Sequence, residues 1–89
     1  MRAVRVVVHG RVQGVGFRYW TLKEANALGL AGYVRNCADG SVEGVIRGEE
    51  AAVTLMLKRL ADGPPLARVE RVETQEWAGD LQSENFEIR

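Results

Sequence analysis

The stretch AVRVVVHGRVQGVGFRYWTLKEANALG, residues 3–29, changes its periodicity once, across a cluster of glycines. Residues 3–9 are rich in valine and alternate, with Val4, Val6 and Val8 on one face, so they read as a strand. Val7 on the opposite face suggests an interior strand. Residues 18–28 have helix-forming content: Leu22, Ala25 and Leu28 recur three apart with Thr21 beside them. Gly29 then fits a helix C-cap, where a residue without a side chain adopts the left-handed conformation. Between the two lies GRVQGVGFR, residues 10–18, which packs three glycines into nine residues and ends on an arginine.

Further along, residues 31–37 and 41–48 flank ADGS, whose Asp39-Gly40 pair favours the positive backbone angles of a tight hairpin. Residues 49–61 carry Val53, Met56, Leu57 and Leu60 at the spacing of one helix face, with Glu49 and Glu50 in the first turn at the positive end of the helix dipole. Gly63, Pro64 and Pro65 stop that helix. Residues 67–77 look extended, but Val69 and Val72 fall on opposite faces of a regular strand, which predicts a bulge or a late start. Phe86 and Ile88 alternate in a short last strand. The order is βαββαβ with an extra strand. The expected fold class is α+β, a ferredoxin-like sandwich with two helices on one face of an antiparallel sheet and right-handed split βαβ units.

Composition narrows the function. A chain of 89 residues is long enough for one compact domain, and its 46% hydrophobic and 27% charged content is that of an ordinary folded protein. A single domain over residues 1–89, with nothing attached after Arg89, is expected. No apolar run approaches the roughly 20 residues of a membrane span, so a cytoplasmic protein without a membrane partner is expected. Twelve basic residues balance twelve acidic ones, and the net charge of zero draws the protein toward neither nucleic acid nor an anionic surface. One cysteine excludes an internal disulfide and any multi-cysteine metal site.

Any anion site must therefore be local, and topology points to where. In the expected fold the first and second strands run parallel with the third between them, so their C-terminal ends share one edge. The glycine loop leaves the first strand there, and Asn36 lies near the end of the second. Two strand spacings, about 10 Å, separate them. If Val34 is in the core, Asn36 points to the helix side at the rim. Arg18 falls in the first turn of a helix, where a positive charge is unfavourable by about 0.3 to 1 kcal/mol. A bound anion reverses that sign, since loop N–H groups converge, the helix end is partly positive and guanidinium is a forked donor for phosphate. The alternative is a tight connection with Arg18 in solvent. The loop lacks the Gly-Lys-Ser/Thr ending of a P-loop and the third glycine of the dinucleotide fingerprint.

GRVQGVGFR, together with GYVRN and DGSVEG, closely resembles the acylphosphatase family over nearly the whole chain. Gly10, Val12, Gln13, Gly14, Val15, Phe17, Arg18, Gly32 and Asn36 all match the family pattern. The resemblance implies hydrolysis of acyl phosphates, mixed carboxylic and phosphoric anhydrides, to a carboxylate and inorganic phosphate by direct water attack, with no metal, cofactor or covalent intermediate. It implies that the N–H groups of Val12, Gln13, Gly14, Val15, Gly16, Phe17 and Arg18 hold the phosphate, that Arg18 binds its oxygens, and that Asn36 positions the attacking water. The implied partners are a small acyl phosphate and inorganic phosphate as product and inhibitor, and the implied state is a monomer.

Other residues carry plainer readings. Cys37 lacks the arginine a Cys-x5-Arg phosphatase needs, because position 43 is Glu43, so it reads as a small, mostly buried hydrophobe. His9 reads as structural or solvated, and Trp20 lies close enough to the loop to shape an acyl pocket. An RNA-recognition domain would carry base-stacking aromatics on its central strands, and VRVVV and VEGVIR have none. A metal chaperone on this fold would need paired cysteines in the first loop. The remaining rival is a phosphate-binding or regulatory domain that has lost catalysis.

Overall fold

The computed structural model describes residues 1–80 and 84–89. Its elements are β1 (Arg2–Arg11), α1 (Phe17–Ala27), β2 (Ala31–Asn36), β3 (Val42–Gly48), α2 (Glu50–Asp62), β4 (Arg68–Glu76) and β5 (Phe86–Ile88). They form one five-stranded sheet in the order β4-β1-β3-β2-β5. β3 is antiparallel to both β1 and β2, so these two run parallel to each other on either side of it.

Val4, Val6 and Val8 are all buried and meet Val34, Val42 and Ile46 from the neighbouring strands. Onto this face pack Phe17 and Ala25 of α1 and Val53, Met56 and Leu60 of α2. The expected ferredoxin-like sandwich is what the chain adopts. One detail differs: β5 lies parallel to β2, which makes the sheet mixed where an antiparallel one was expected. The reason is geometric. β4 runs antiparallel to β1 and hence to β2, so a chain that reverses after β4 and crosses to the far edge arrives parallel to β2.

The irregularity expected in the fourth strand is a bulge. Gly10 pairs with Val69 while His9 pairs with Arg71, which leaves Glu70 as the extra residue. The shift brings both Val69 and Val72 against the core, as a regular strand would not. It also extends β1 two residues past His9, through Gly10 and Arg11, where the sequence suggested that the loop had begun.

Backbone contact fixes residue 32 as glycine. Gly32 has φ 139°, and a Cβ there would lie 1.8 Å from the carbonyl oxygen of Val45 on β3. Gly32→Ala is expected to destabilise the fold by about 3 kcal/mol, combining overpacking with an unfavourable φ. Thermal unfolding should show a Tm lower by more than about 10 °C; an unchanged Tm would contradict the close approach of β2 to β3.

On the sheet face away from the helices, Glu43 is largely buried and accepts hydrogen bonds from Arg5 of β1 and from Arg35 Nε of β2, the latter at 2.7 Å. Burial alone would raise the Glu43 carboxyl, but the two arginines outweigh it and hold the pKa below the ordinary value of 4.5. A depressed carboxylate contributes stability that is present above pH 4.5 and is lost as pH falls through the lower folded value. Glu43→Gln should therefore cost about 1 to 2 kcal/mol at neutral pH, since both arginines are partly open to solvent. The gap between variant and wild type should narrow below about pH 4 in urea unfolding series. A gap independent of pH would mean that the pair contributes only shape.

Candidate active site

The connection from β1 to α1 is built from apolar pegs that alternate with exposed glycines. Val12 and Phe17 are buried, and Val15 packs against the core, whereas Gly14 and Gly16 face solvent with φ 73° and 77°. The pegs anchor the loop, and the left-handed glycines turn its backbone between them.

Gly16 is the N-cap of α1, and the first helical bond runs from the Trp20 N–H to the Gly16 carbonyl at 3.0 Å. The N–H groups of Phe17, Arg18 and Tyr19 therefore have no acceptor within the helix. No side chain caps this end among the described residues, and the first turn carries Arg18 with no acidic residue. Two positive sources, the partial charge of the helix end and the full charge of the guanidinium, meet here.

They open on a cavity of about 190 Å³ lined by Val12, Gly14, Gly16, Phe17, Arg18, Tyr19, Asn36 and Ile88. Asn36, the last residue of β2, pairs with Val42 and projects to the same side as buried Val34. Arg18 and Asn36, expected to meet on the topology alone, thus line one cavity. Of the other loop residues singled out in the sequence, Val12, Gly14, Gly16 and Phe17 also line it. Gln13 and Val15 do not: Val15 is turned to the core, and the Gln13 amide reaches across to the β2–β3 turn.

Arg18 is held from an unexpected direction. Its Nη1 donates to the backbone oxygen of Arg89 at 3.2 Å. Arg89 is fixed in turn, because its N–H donates to the Val34 carbonyl at 2.9 Å and its guanidinium lies 4.2 Å from the Tyr33 ring centre. Ile88 pairs with Val34 and reaches the cavity from the same short strand. The alternation of Phe86 and Ile88 is visible in the sequence, but nothing local in it says that this strand lies beside β2.

Trp20 does not line the cavity. Its ring lies 5.5 Å from that of Phe17, tilted by 56°, and the adjacent Tyr19 takes the cavity wall instead. One residue on a helix turns the side chain by about 100°, which separates the two fates. His9 lies on the other face of β1, with Nε2 3.4 Å from the Glu73 carboxylate. Cys37 is half-buried. It begins the turn after Asn36, where Gly40 N–H donates to its carbonyl and its own N–H donates to the Ser41 carbonyl at 2.8 Å. The Asp39 carboxylate accepts from the Ser41 hydroxyl at 2.6 Å and its N–H at 3.0 Å, and these bonds hold its pKa below the usual range. Among the described residues, no three His, Cys, Asp or Glu side chains gather as a metal site.

A pocket of this kind supplies converging backbone donors, a forked cation and, across from them, a neutral amide that can both donate and accept. Comparison with known proteins agrees with that chemistry. The acylphosphatase family model matches residues 4–88. An acylphosphatase of Nitrobacter hamburgensis is 53% identical over 78 residues, 88% of this chain and 79% of the relative. One of Alcanivorax borkumensis is 45% identical over 99% of both chains. The crystal structure of acylphosphatase from Bacillus subtilis superposes with a TM-score of 0.94 at 37% identity, covering 100% of this chain and 99% of that one. With the family model matching residues 4–88 and a relative 45% identical over 99% of both chains, the chain belongs to the acylphosphatase family.

Proposed function

We propose that this protein hydrolyses acyl phosphates to a carboxylate and inorganic phosphate, as a cytoplasmic monomer whose single domain spans residues 1–89. The observation that carries the proposal is that Arg18, the uncapped end of α1 and Asn36 line one cavity. Among the described residues no helix is long and apolar enough to cross a membrane.

The substrate phosphate is bound by N–H groups of residues 12–18 and by Arg18. A guanidinium has five N–H donors, so the bond from Nη1 to the backbone oxygen of Arg89 steadies the fork and leaves donors for two phosphate oxygens. Asn36 holds a water and directs its oxygen at phosphorus, in line with the bond to the acyl oxygen. As the new P–O bond forms, the bond to the acyl oxygen breaks and its electron pair leaves with the carboxylate. That leaving group is already a weak base, so no general acid is required. A non-bridging phosphate oxygen takes the water's proton. Charge in the loose transition state lies on the equatorial oxygens, where fixed N–H dipoles and Arg18 stabilise it without metal or covalent intermediate.

Purified protein should hydrolyse benzoyl phosphate at an undiminished rate in excess chelator; loss of activity on chelation would overturn the metal-free mechanism. Arg18→Ala should lower kcat/KM by about 100-fold or more and weaken inhibition by inorganic phosphate. Asn36→Ala should lower kcat by about 100-fold while the phosphate inhibition constant stays within about twofold, as expected for a group acting on water. Equal weakening of phosphate binding by both substitutions would refute this division of roles. No turnover by folded protein that still binds phosphate would identify a silent phosphate-binding domain instead.

Inorganic phosphate should inhibit competitively, and at 100 times its dissociation constant it should add about 2.7 kcal/mol to stability. A Tm unmoved by phosphate would leave the cradle without a ligand. The kcat profile should show no enzyme base titrating near pH 7, and a basic limb there that Asn36→Ala retains would rule out the substrate oxygen as proton acceptor.

A further inference from the structure

Gln13 stands in the middle of the glycine loop, yet its side chain is turned away from the cavity. Its Nε2 donates to two backbone carbonyls, Cys37 at 2.7 Å and Ser41 at 2.9 Å. A primary amide has two N–H donors, and both are used here. Since both partners are carbonyl oxygens, only the nitrogen can face them, which settles the orientation of the amide.

The two acceptors are the residues that open and close the turn between β2 and β3. Each already has a backbone donor: the Gly40 N–H bonds to the Cys37 carbonyl and the Cys37 N–H to the Ser41 carbonyl. The second lone pair of each oxygen takes Gln13. The amide therefore does not rescue an otherwise orphaned group, and the turn would close without it. What it adds is a fixed distance between two segments that share no ladder, the loop after β1 and the turn directly after Asn36. β3 lies between β1 and β2, so no strand pairing holds one segment to the other.

We infer that Gln13 is a positioning residue, whose side-chain amide sets the distance and angle between the phosphate-binding loop and Asn36. The inference rests on the proposed roles of the loop and of Asn36. In an in-line attack the phosphate is located by the loop and the water by Asn36, so the approach of oxygen to phosphorus depends on how these two segments sit. A displacement of about 1 Å in such an arrangement can cost about 100-fold in rate while leaving each partner's own binding intact. A peg that only shaped the loop would act on phosphate affinity.

The test is Gln13→Met, which keeps length and volume but cannot donate, beside Gln13→Glu, which keeps the shape and turns an acceptor toward the two carbonyls. Both are assayed with benzoyl phosphate in the wild-type and Asn36→Ala backgrounds, with inorganic phosphate as competitive inhibitor. Gln13→Met should lower kcat by about 10- to 100-fold with the phosphate inhibition constant within about twofold. Gln13→Glu should lower kcat at least as far. In the Asn36→Ala background the Gln13→Met step should change kcat less than twofold, because there is no longer a held water to misplace.

An unchanged kcat in Gln13→Met overturns the inference. So does a fall in kcat matched by an equal loss of phosphate affinity, or a fall that recurs undiminished without Asn36. The reading on which it rests fails differently: if Asn36→Ala alone turns over at the wild-type rate, Asn36 holds no essential water whatever Gln13 does. If Asn36→Ala is slow and Gln13→Met is normal, only the positioning role of Gln13 is lost. Phosphate-induced Tm shifts on each variant verify that the loop remains folded and able to bind.

Discussion

The position of β3 between β1 and β2 is the constraint on which the site depends. Both neighbours are antiparallel to it, so both end at the same edge of the sheet, two strand spacings apart. The segments that leave those ends are therefore brought near each other without any ladder between them. On one side the chain turns through glycines into a helix end that lacks a cap, and on the other it stops at Asn36. The gap of one intervening strand is wide enough for a small anion and narrow enough for a long side chain to bridge. Arg18 and Gln13 use that gap in different ways, one at the cavity and one at the hairpin turn.

Electrostatics divides along the same sheet. The helix-covered face is apolar, and its polar groups gather at the rim, where the cavity lies. The opposite face is held by ion pairs instead, with Glu43 between two arginines and Glu73 beside Arg71. Opposite charges there are largely satisfied among themselves. Arg18 differs at the cavity, because its hydrogen-bond partner is the backbone oxygen of Arg89 rather than an acidic side chain.

Much of this was legible in the sequence because it is written at short range. Val4, Val6 and Val8 alternate, the Val53, Met56 and Leu60 stripe has one helical period, and Asp39-Gly40 marks the hairpin. From these the topology follows, and the topology brings Arg18 and Asn36 together. What could not be read depends on distances between residues far apart in the chain. The parallel arrangement of β5, and with it the approach of Ile88 and Arg89 to the cavity, depends on where the chain goes after β4. The direction of Gln13 depends on a hydrogen bond spanning 24 residues. Trp20 and Tyr19 are adjacent, and only the rotation of α1 against the core decides which of them meets Phe17. The bulge at Glu70 lies between these extremes: the mismatch of Val69 and Val72 announced an irregularity, and pairing with Gly10 located it.

The bulged strand has a bearing on how copies of this chain coexist. β4 is an outer strand of the sheet, and among the described residues one side of its backbone has no ladder partner. Such a rim is an invitation to templated stacking, strand upon strand, from one molecule to the next. Here the rim carries Arg68, Glu70, Arg71, Glu73 and Glu76, and Glu70 breaks its regular spacing. A strand arriving from another molecule would have to desolvate mixed charges and match a row of donors and acceptors that falls out of step partway along. At the other rim, β5 offers only three residues. The sheet is thus closed to indefinite growth at both ends by quite different means, one chemical and one a matter of length.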